Sequence, residues 1–325
     1  MMSGIIFNAS LRPKYYIPET TKPIFRLFRE LVLKQRPMPD FPKDVQIQTM
    51  TGCNSRCIFC PHGKTRNPIL PGQEMSWDNF TKIVDEILSH DVNRISPYLM
   101  NEPFMDKRLP ELISYMTRKK SKYTVTKVNS NGSLLTETLS KALLDSGLDR
   151  LNFSVHGIVA EEYERTMVGI KLTNVLHNID RFLELKNAGG YDRPRVRVTM
   201  VRTRILEPQI PQIIEYWGSR NIKVNIQPLE NRSHDAIHKQ NLGVHNHKLK
   251  PFLWCDRMFK QIYILADGRV VLCCVDWEQT TIMGDARRES VFDIWHNNKY
   301  QEYRRNFLNG DLRGMLCNKC MKASC

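Results

Sequence analysis

The stretch DVQIQTMTGCNSRCIFC (residues 44–60) opens as a strand and ends as a thiol-rich loop. Val45 and Ile47 alternate with Gln46 and Gln48, so residues 44–49 read as a strand with one apolar and one polar face. Five more strands are predicted at 94–99, 123–129, 150–155, 195–201 and 223–228. The same split returns where Asn152 and Ser154 alternate with Leu151, Phe153 and Val155. It returns again at Arg197 and Thr199, and at Asn225 and Gln227. Helical spacing fills the intervals. Ser76 can cap a helix through Phe80, Val84 and Leu88, and Thr136 one through Leu139 and Leu143, with Gly147 after its end. Leu172, Val175, Leu176, Ile179, Phe182 and Leu183 keep helical spacing over 172–186. Six strand–helix units predict a parallel sheet, as a barrel or an open sheet. A strand buried on both faces would be apolar throughout. A polar row on one face predicts an α/β fold of the partial (β/α)6 TIM type, its interior a polar cavity.

Outside the barrel, 44–232, three further segments are expected. Residues 1–43 form an N-terminal extension with an amphipathic helix around Pro23 to Lys34, ending in the proline-rich PMPDFP. Residues 233–251 form a linker with four histidines, His234, His238, His245 and His247, read as solvated rather than metal-bound. Residues 252–325 form a small domain. In it QIYILADGRVVLCC reads as a β-hairpin turning at Asp267-Gly268. Ser290-x-x-Asp293 resembles a capping box and opens a helix carrying Val291, Ile294, Trp295, Tyr303 and Phe307 on one side.

Hydrophobic residues at 41% and charged residues at 25% match a globular chain rather than a disordered one. No run of 18 apolar residues and no secretory pattern occurs, so neither a membrane span nor export is expected, and the location is read as cytoplasmic. The net charge of +14 invites a nucleic-acid reading, but the basic residues are dispersed, with only short clusters such as RKKSK at 118–122. A solvated basic surface, or a pocket for an anionic ligand, explains the charge as well.

The nine cysteines fall in two groups, at 53, 57 and 60 and from 255 onward. Without an export signal, metal binding explains them better than disulfides. Cys53-x3-Cys57-x2-Cys60 can hold three corners of an iron–sulfur cube, leaving the fourth iron open to another ligand. Its place after the first strand is where barrels carry catalytic groups. Zinc with His62 as fourth ligand is the alternative, but zinc ribbons bring a second C-x2-C pair from nearby, and no cysteine lies between 60 and 255.

This spacing, with Phe59 before the third cysteine, resembles the signature of the radical S-adenosylmethionine (SAM) superfamily. The resemblance implies a 4Fe–4S cluster whose unique iron chelates SAM, and reductive cleavage of SAM to a 5′-deoxyadenosyl radical that abstracts a hydrogen atom. Further matches follow at βα spacing. Met100-Asn101-Glu102-Pro103 stands where the family has GGEP, with Asn101 in place of a glycine. Asn129-Ser130-Asn131-Gly132 resembles the TNG turn, and Ser154 with His156-Gly157 the S-x-D-G strand end, with His156 in place of Asp. By this resemblance Phe59, Asn101, Glu102, Pro103, Asn131 and Ser154 contact SAM.

The second cysteine group resembles the SPASM/twitch extension of such enzymes, which binds auxiliary 4Fe–4S clusters. Cys255, Cys273, Cys317 and Cys320 best fit one cluster, with zinc on the same four as the alternative. Cys274 can substitute for Cys273; Cys274 and Cys325 are otherwise spare thiols, or one gives a hydrogen atom to a substrate radical. Two 4Fe–4S clusters in all, SAM, and a reducing partner such as flavodoxin or ferredoxin are expected. The resemblance favours net oxidation, such as alcohol dehydrogenation on a sugar or aminocyclitol. The alternatives are a radical epimerase, a ribosomal-peptide maturase, a tRNA-modifying enzyme or a zinc-binding scaffold. A short N-terminal extension and cysteines for only one auxiliary cluster favour a small molecule over a peptide. Arg197, Gln227, Glu230, Arg232, Asn152 and His156 are candidate contacts in the interior, with Glu230 or His156 as base and Cys274 as a further catalytic candidate.

Overall fold

The computed structural model describes residues 38–62, 64, 71–229, 242–243 and 255–322. Six strands follow the expected order: β1 (Asp44–Ile47), β2 (Arg94–Ser96), β3 (Val125–Ser130), β4 (Arg150–Ser154), β5 (Arg195–Arg202) and β6 (Lys223–Pro228). Each pairs in parallel with the next. The connecting helices are α1 (Trp77–Leu88), α2 (Leu109–Lys119), α3 (Glu137–Asp145), α4 (Ala160–Thr166), α5 (Leu172–Ala188) and α6 (Ile210–Gly218). Ser76 and Thr136 cap α1 and α3 as read from sequence, each accepting a backbone N–H three residues on.

One face of this sheet is apolar and packed. Val45, Ile47, Ile95, Val128, Leu151, Phe153, Val198 and Met200 are sealed under Phe80, Ile83 and Ile87 of α1, Leu112 and Met116 of α2, and Val175, Ile179 and Phe182 of α5. The other face carries the polar rows. In register, Gln46 stands beside Ser96, Lys127 beside Arg150, Asn129 beside Asn152, Asn152 beside Arg197, and Ser154 beside Thr199. The period of two thus separates a helix-covered face from a concave polar one.

The C-terminal segment continues the same sheet. After α7 (Arg257–Lys260) come β7 (Gln261–Ile264) and β8 (Arg269–Val271), the expected hairpin. Gly268 turns it at φ +83°, and a Cβ there would meet the Arg287 side chain at 2.5 Å. β7 also pairs in parallel with β1, so the nine strands run β6-β5-β4-β3-β2-β1-β7-β8-β9. The ninth, β9 (Ile282–Asp285), was not expected from sequence.

The single helix expected after Ser290 is two, α8 (Val291–His296) and α9 (Asn298–Asn309). Asn297 breaks it: its backbone leaves the helix, and its side chain accepts the Tyr300 N–H, starting α9 afresh. Ser290 caps Asp293 N at 2.9 Å as expected. The Asp293 carboxylate accepts the Ser290 hydroxyl rather than its backbone N–H, because Asp is shorter than the usual Glu. The last helix, α10 (Leu316–Lys322), carries the C-x2-C pair. No helix among the described residues is long and apolar enough to cross a membrane. The Pro23–Lys34 helix and the linker histidines lie outside the described residues.

Candidate active site

The thiol loop leaves β1 through Gly52, which turns at φ +108° and has Pro71 at 3.1 Å from where a Cβ would be. Two sides of the barrel top then fix it. On one, Arg56 N donates to Val168 O at 2.9 Å and Ile58 N to Thr166 O at 3.0 Å. On the other, Asn54 donates to the Ser133 hydroxyl at 2.8 Å and accepts from Asn131 Nδ2 at 2.9 Å. Lys64 closes the loop by donating to Ile58 O at 2.7 Å. Cys53, Cys57 and Cys60 are each half-buried. Burial pushes the Cys53 thiol up to about 12, and negative charge on Glu102, Cys57 or Cys60 pushes the same way. The Cys57 thiol lies 3.3 Å from the Met167 sulfur.

Glu102 is buried, and its carboxylate accepts Ser130 Oγ at 2.6 Å, Asn131 N at 2.8 Å and Phe104 N at 3.1 Å. It therefore locks the loop after β2 onto the turn after β3. Pro103 starts the short turn that places Phe104 N. Asn101 accepts Leu99 N through Oδ1 at 3.0 Å, while its Nδ2 is buried without a protein partner. The Asn131 side chain is committed to Asn54 and Ser133. Ser154 ends β4 on the concave face, and Phe59 is buried edge-on to the His156 ring at 4.6 Å.

His156 corrects an expectation. Its Nδ1 accepts the Val201 backbone N–H at 2.9 Å. The neutral ring then carries its proton on Nε2, so it presents a donor there, not the free lone pair a base needs. Glu230, the other base candidate, lies outside the described residues with Arg232 and Cys325. Gln227 is half-buried and Arg197 exposed, both on the concave face with Asn152. His62 hydrogen-bonds the Cys53 backbone and sits edge-on to Trp277, 6.5 Å away.

Below the loop, the concave face holds buried polar atoms with no protein partner. They include both side-chain ends of Gln48, Ser96 Oγ, Asn129 Oδ1, Asn152 Oδ1 and Thr199 Oγ1. Such atoms are uncommon in folded proteins. A row of them under three braced thiols fits a metal cluster on the loop and a polar ligand beneath it. Among the described residues no three His, Cys, Asp or Glu side chains converge at single-ion spacing. Ligands of a four-iron cube stand farther apart than those of one zinc ion.

Cys255, Cys273, Cys274, Cys317 and Cys320 are also half-buried free thiols. Burial pushes Cys317 up to about 12, helped by Cys255 and Cys320. Cys273 is raised by its hydrogen bond to Cys274, by burial, and by Cys255. These couplings bring all five thiols to one end of the chain's C-terminal segment. Cys273 acts electrostatically on the buried Tyr300 of α9. Cys274 hydrogen-bonds Tyr263 and acts electrostatically on Tyr98, which in turn bonds Gln46 on the concave face. Lys127, Tyr98, Tyr263 and Met167 were not singled out from sequence. The Lys127–Asn129 alternation carried a signal; the two tyrosines gave none, because β7 reaches β1 only through the tertiary fold.

Residues 47–194 match the radical SAM superfamily, and residues 255–321 match SPASM, an iron–sulfur cluster-binding domain. Over 178 residues the chain is 30% identical to a probable GTP 3′,8-cyclase of Methanococcus maripaludis, covering 55% of each protein. The chain thus spans about half the length of that relative. Over 286 residues it is 23% identical to the S-adenosyl-L-methionine-dependent 2-deoxy-scyllo-inosamine dehydrogenase of Niallia circulans, covering 86% of this chain and 93% of that protein. The fold resembles the crystal structure of BtrN in complex with AdoMet and 2-DOIA, at TM-score 0.56 and 19% identity over 87% of this chain and 92% of that one. It also resembles Streptococcus suis SuiB bound to precursor peptide SuiA, at TM-score 0.67 and 14% identity over 99% and 80%.

Proposed function

The chain belongs to the radical SAM superfamily and carries a SPASM domain, and on that premise we propose that it dehydrogenates an alcohol on a small polar substrate. The two domains imply SAM and 4Fe–4S clusters. In this reading Cys53, Cys57 and Cys60 hold the SAM-binding cluster, and Cys255, Cys273, Cys317 and Cys320 hold an auxiliary one. A cluster held by the first set would supply reductive cleavage of SAM for removal of the carbinol hydrogen, and one held by the second set would supply an acceptor for the second electron. A flavodoxin or ferredoxin would be the electron source.

The chain's own residues position and shield this chemistry. Asn54, Asn131 and Glu102 hold the thiol loop and the β2 and β3 turns as one unit. Asn101 Nδ2, Asn152 Oδ1 and Thr199 Oγ1 offer unspent hydrogen-bonding capacity to SAM and substrate. His156 donates through Nε2 to a substrate oxygen, and Glu230 takes the hydroxyl proton. The observation that carries the reading is the row of unpartnered polar atoms on the concave face below the thiol loop. The dehydrogenase relative that aligns over most of both chains supports it.

A second reading rests on Cys274, whose thiol acts electrostatically on Tyr98, itself hydrogen-bonded to Gln46 on the concave face. As a hydrogen-atom donor it would return the substrate radical to an epimer, a redox-neutral outcome. The test is anaerobic turnover of polyols, aminocyclitols, sugar phosphates and sugar acids with SAM and dithionite in deuterated water. Carbonyl product matched one to one by 5′-deoxyadenosine supports dehydrogenation. Deuterium at carbon, abolished by Cys274→Ala, supports epimerisation, and absence of 5′-deoxyadenosine with both clusters loaded sinks both.

A further inference from the structure

The concave face carries a charge imbalance that the chemistry above does not use. Toward the N-terminal ends of the strands it holds Arg94, Lys127, Arg150 and Arg197, with Lys127 beside Arg150 and Arg197 beside Lys223 in register. The acids nearby are already paired, one of them within the cluster. Asp44 pairs with Arg94 at 3.0 Å, and Asp256 pairs with Lys260 at 3.1 Å. Among the described residues, Lys127, Arg150 and Arg197 have neither an ion pair nor a side-chain hydrogen bond. Arg94 keeps Nε buried and unpartnered even with Asp44 bound, and Ser96 Oγ beside it is unpartnered too.

Gathering cations on a concave, partly buried face costs stability unless something negative joins them. Lys127 registers that cost: burial first, then Arg94, Arg150 and Arg197, draw its ammonium down to about 8 against the opposing pull of Asp44. An oxyanion accepts charge-assisted hydrogen bonds from guanidinium and ammonium groups together. Arg197 stands two residues before Thr199 and four before Val201 on β5. At a rise of about 3.3 Å per residue, the cations lie roughly 7–13 Å below the cavity's upper end, the span of a small phosphorylated or carboxylated sugar.

We propose that Arg94, Lys127, Arg150 and Arg197 frame an oxyanion subsite that holds the anionic end of the substrate, with its reacting carbon directed toward the thiol loop. The orientation rests on the radical-enzyme reading above; the subsite itself does not. It distinguishes this chain's substrate class from a neutral or cationic polyol.

The test is calorimetric titration of the full chain at fixed ionic strength with inorganic phosphate, a hexose phosphate, a hexuronate and plain hexose. Saturable binding of phosphate is expected, tightened by the sugar in the hexose phosphate or the hexuronate and absent for the hexose alone. Lys127→Met should weaken phosphate binding about tenfold, the scale of one charge-assisted bond. The same variant should raise the melting temperature of the ligand-free protein, by removing a crowded cation. A lysine held for structure would lower it, so that variant reads sign as well as loss. No saturable anion binding, or binding indifferent to Lys127→Met and Arg150→Gln, overturns the proposal. Phosphate bound as tightly as every sugar acid also overturns it, since the anion would then not be the substrate's. Anion binding that persists in protein unable to cleave SAM keeps the subsite and sinks the function.

Discussion

Ser130 donates its hydroxyl to the buried carboxylate of Glu102 at 2.6 Å, tying the turn after β3 to the loop after β2. Burial raises Glu102 from 4.5 to about 7, against the pull of its Ser130, Asn131 and Phe104 donors. A carboxyl that binds its proton more tightly folded than unfolded loses stability as pH rises between those two values. Wild type should therefore lose stability relative to Glu102→Gln as pH climbs from about 4.5 to about 7, with the gap constant above. Urea melts of both proteins at the ends of that window measure it; a gap that is flat or widens in favour of wild type refutes the assignment.

His156 is expected to be a donor. Its Nδ1 accepts Val201 N–H, so nitrogen-labelled histidine should show Nδ1 unprotonated and Nε2 protonated at neutral pH. His156→Asn keeps an acceptor near Nδ1 and should hold the fold. His156→Ala strands a buried N–H and should cost about 1–3 kcal/mol. A reversed tautomer would restore the base role.

The thiols bear on assembly. Burial puts Cys53 and Cys317 at about 12 in the cluster-free chain, so both are protonated at neutral pH. Ligation requires thiolates, and metal binding must release those protons. Iron loading should therefore quicken from neutral to mildly alkaline pH, and alkylation of Cys53 and Cys317 should lag behind that of an unfolded control. Equal alkylation rates would mean the pockets are open.

The barrel was legible because each strand carries its own record: the alternation around Val45, Leu151 and Val198 named both faces before any tertiary contact was known. The thiol loop was legible because its three cysteines are local in sequence. What escaped depended on long-range pairing. β7 lies beside β1 across more than two hundred residues, and only that pairing sets Tyr263 beside Gln46 and brings Cys274 within electrostatic reach of Tyr98. The α8–α9 break escaped because apolar spacing continues through it, from Trp295 to Tyr303 and Phe307, while Asn297 restarts the helix. Asn297→Ala should cost about 1–2 kcal/mol, since the side chain also donates to Met283 O at 2.7 Å. Thermal melts of the SPASM-containing chain test this, and an unchanged midpoint would show that packing alone sets the break.

Cys273 and Cys274 sit side by side, yet their surroundings differ. Both act electrostatically on Cys255 and Tyr263, while only Cys273 acts on Tyr300 and only Cys274 on Tyr98. The proposed auxiliary set joins Cys273 to Cys255, Cys317 and Cys320 and leaves Cys274 outside it. Anaerobic reconstitution should then give about eight irons per chain for wild type and for Cys274→Ala, but about four for Cys273→Ala. Replacing Cys53, Cys57 and Cys60 together by alanine should also leave about four, now in the auxiliary site. If Cys274→Ala loses the four irons instead, the ligand assignment exchanges, and Cys274 can no longer serve as a hydrogen-atom donor. If wild type itself holds only about four irons, with zinc on the C-terminal thiols, the second electron has no acceptor. Dehydrogenation would then give way to a redox-neutral reaction in the same cavity.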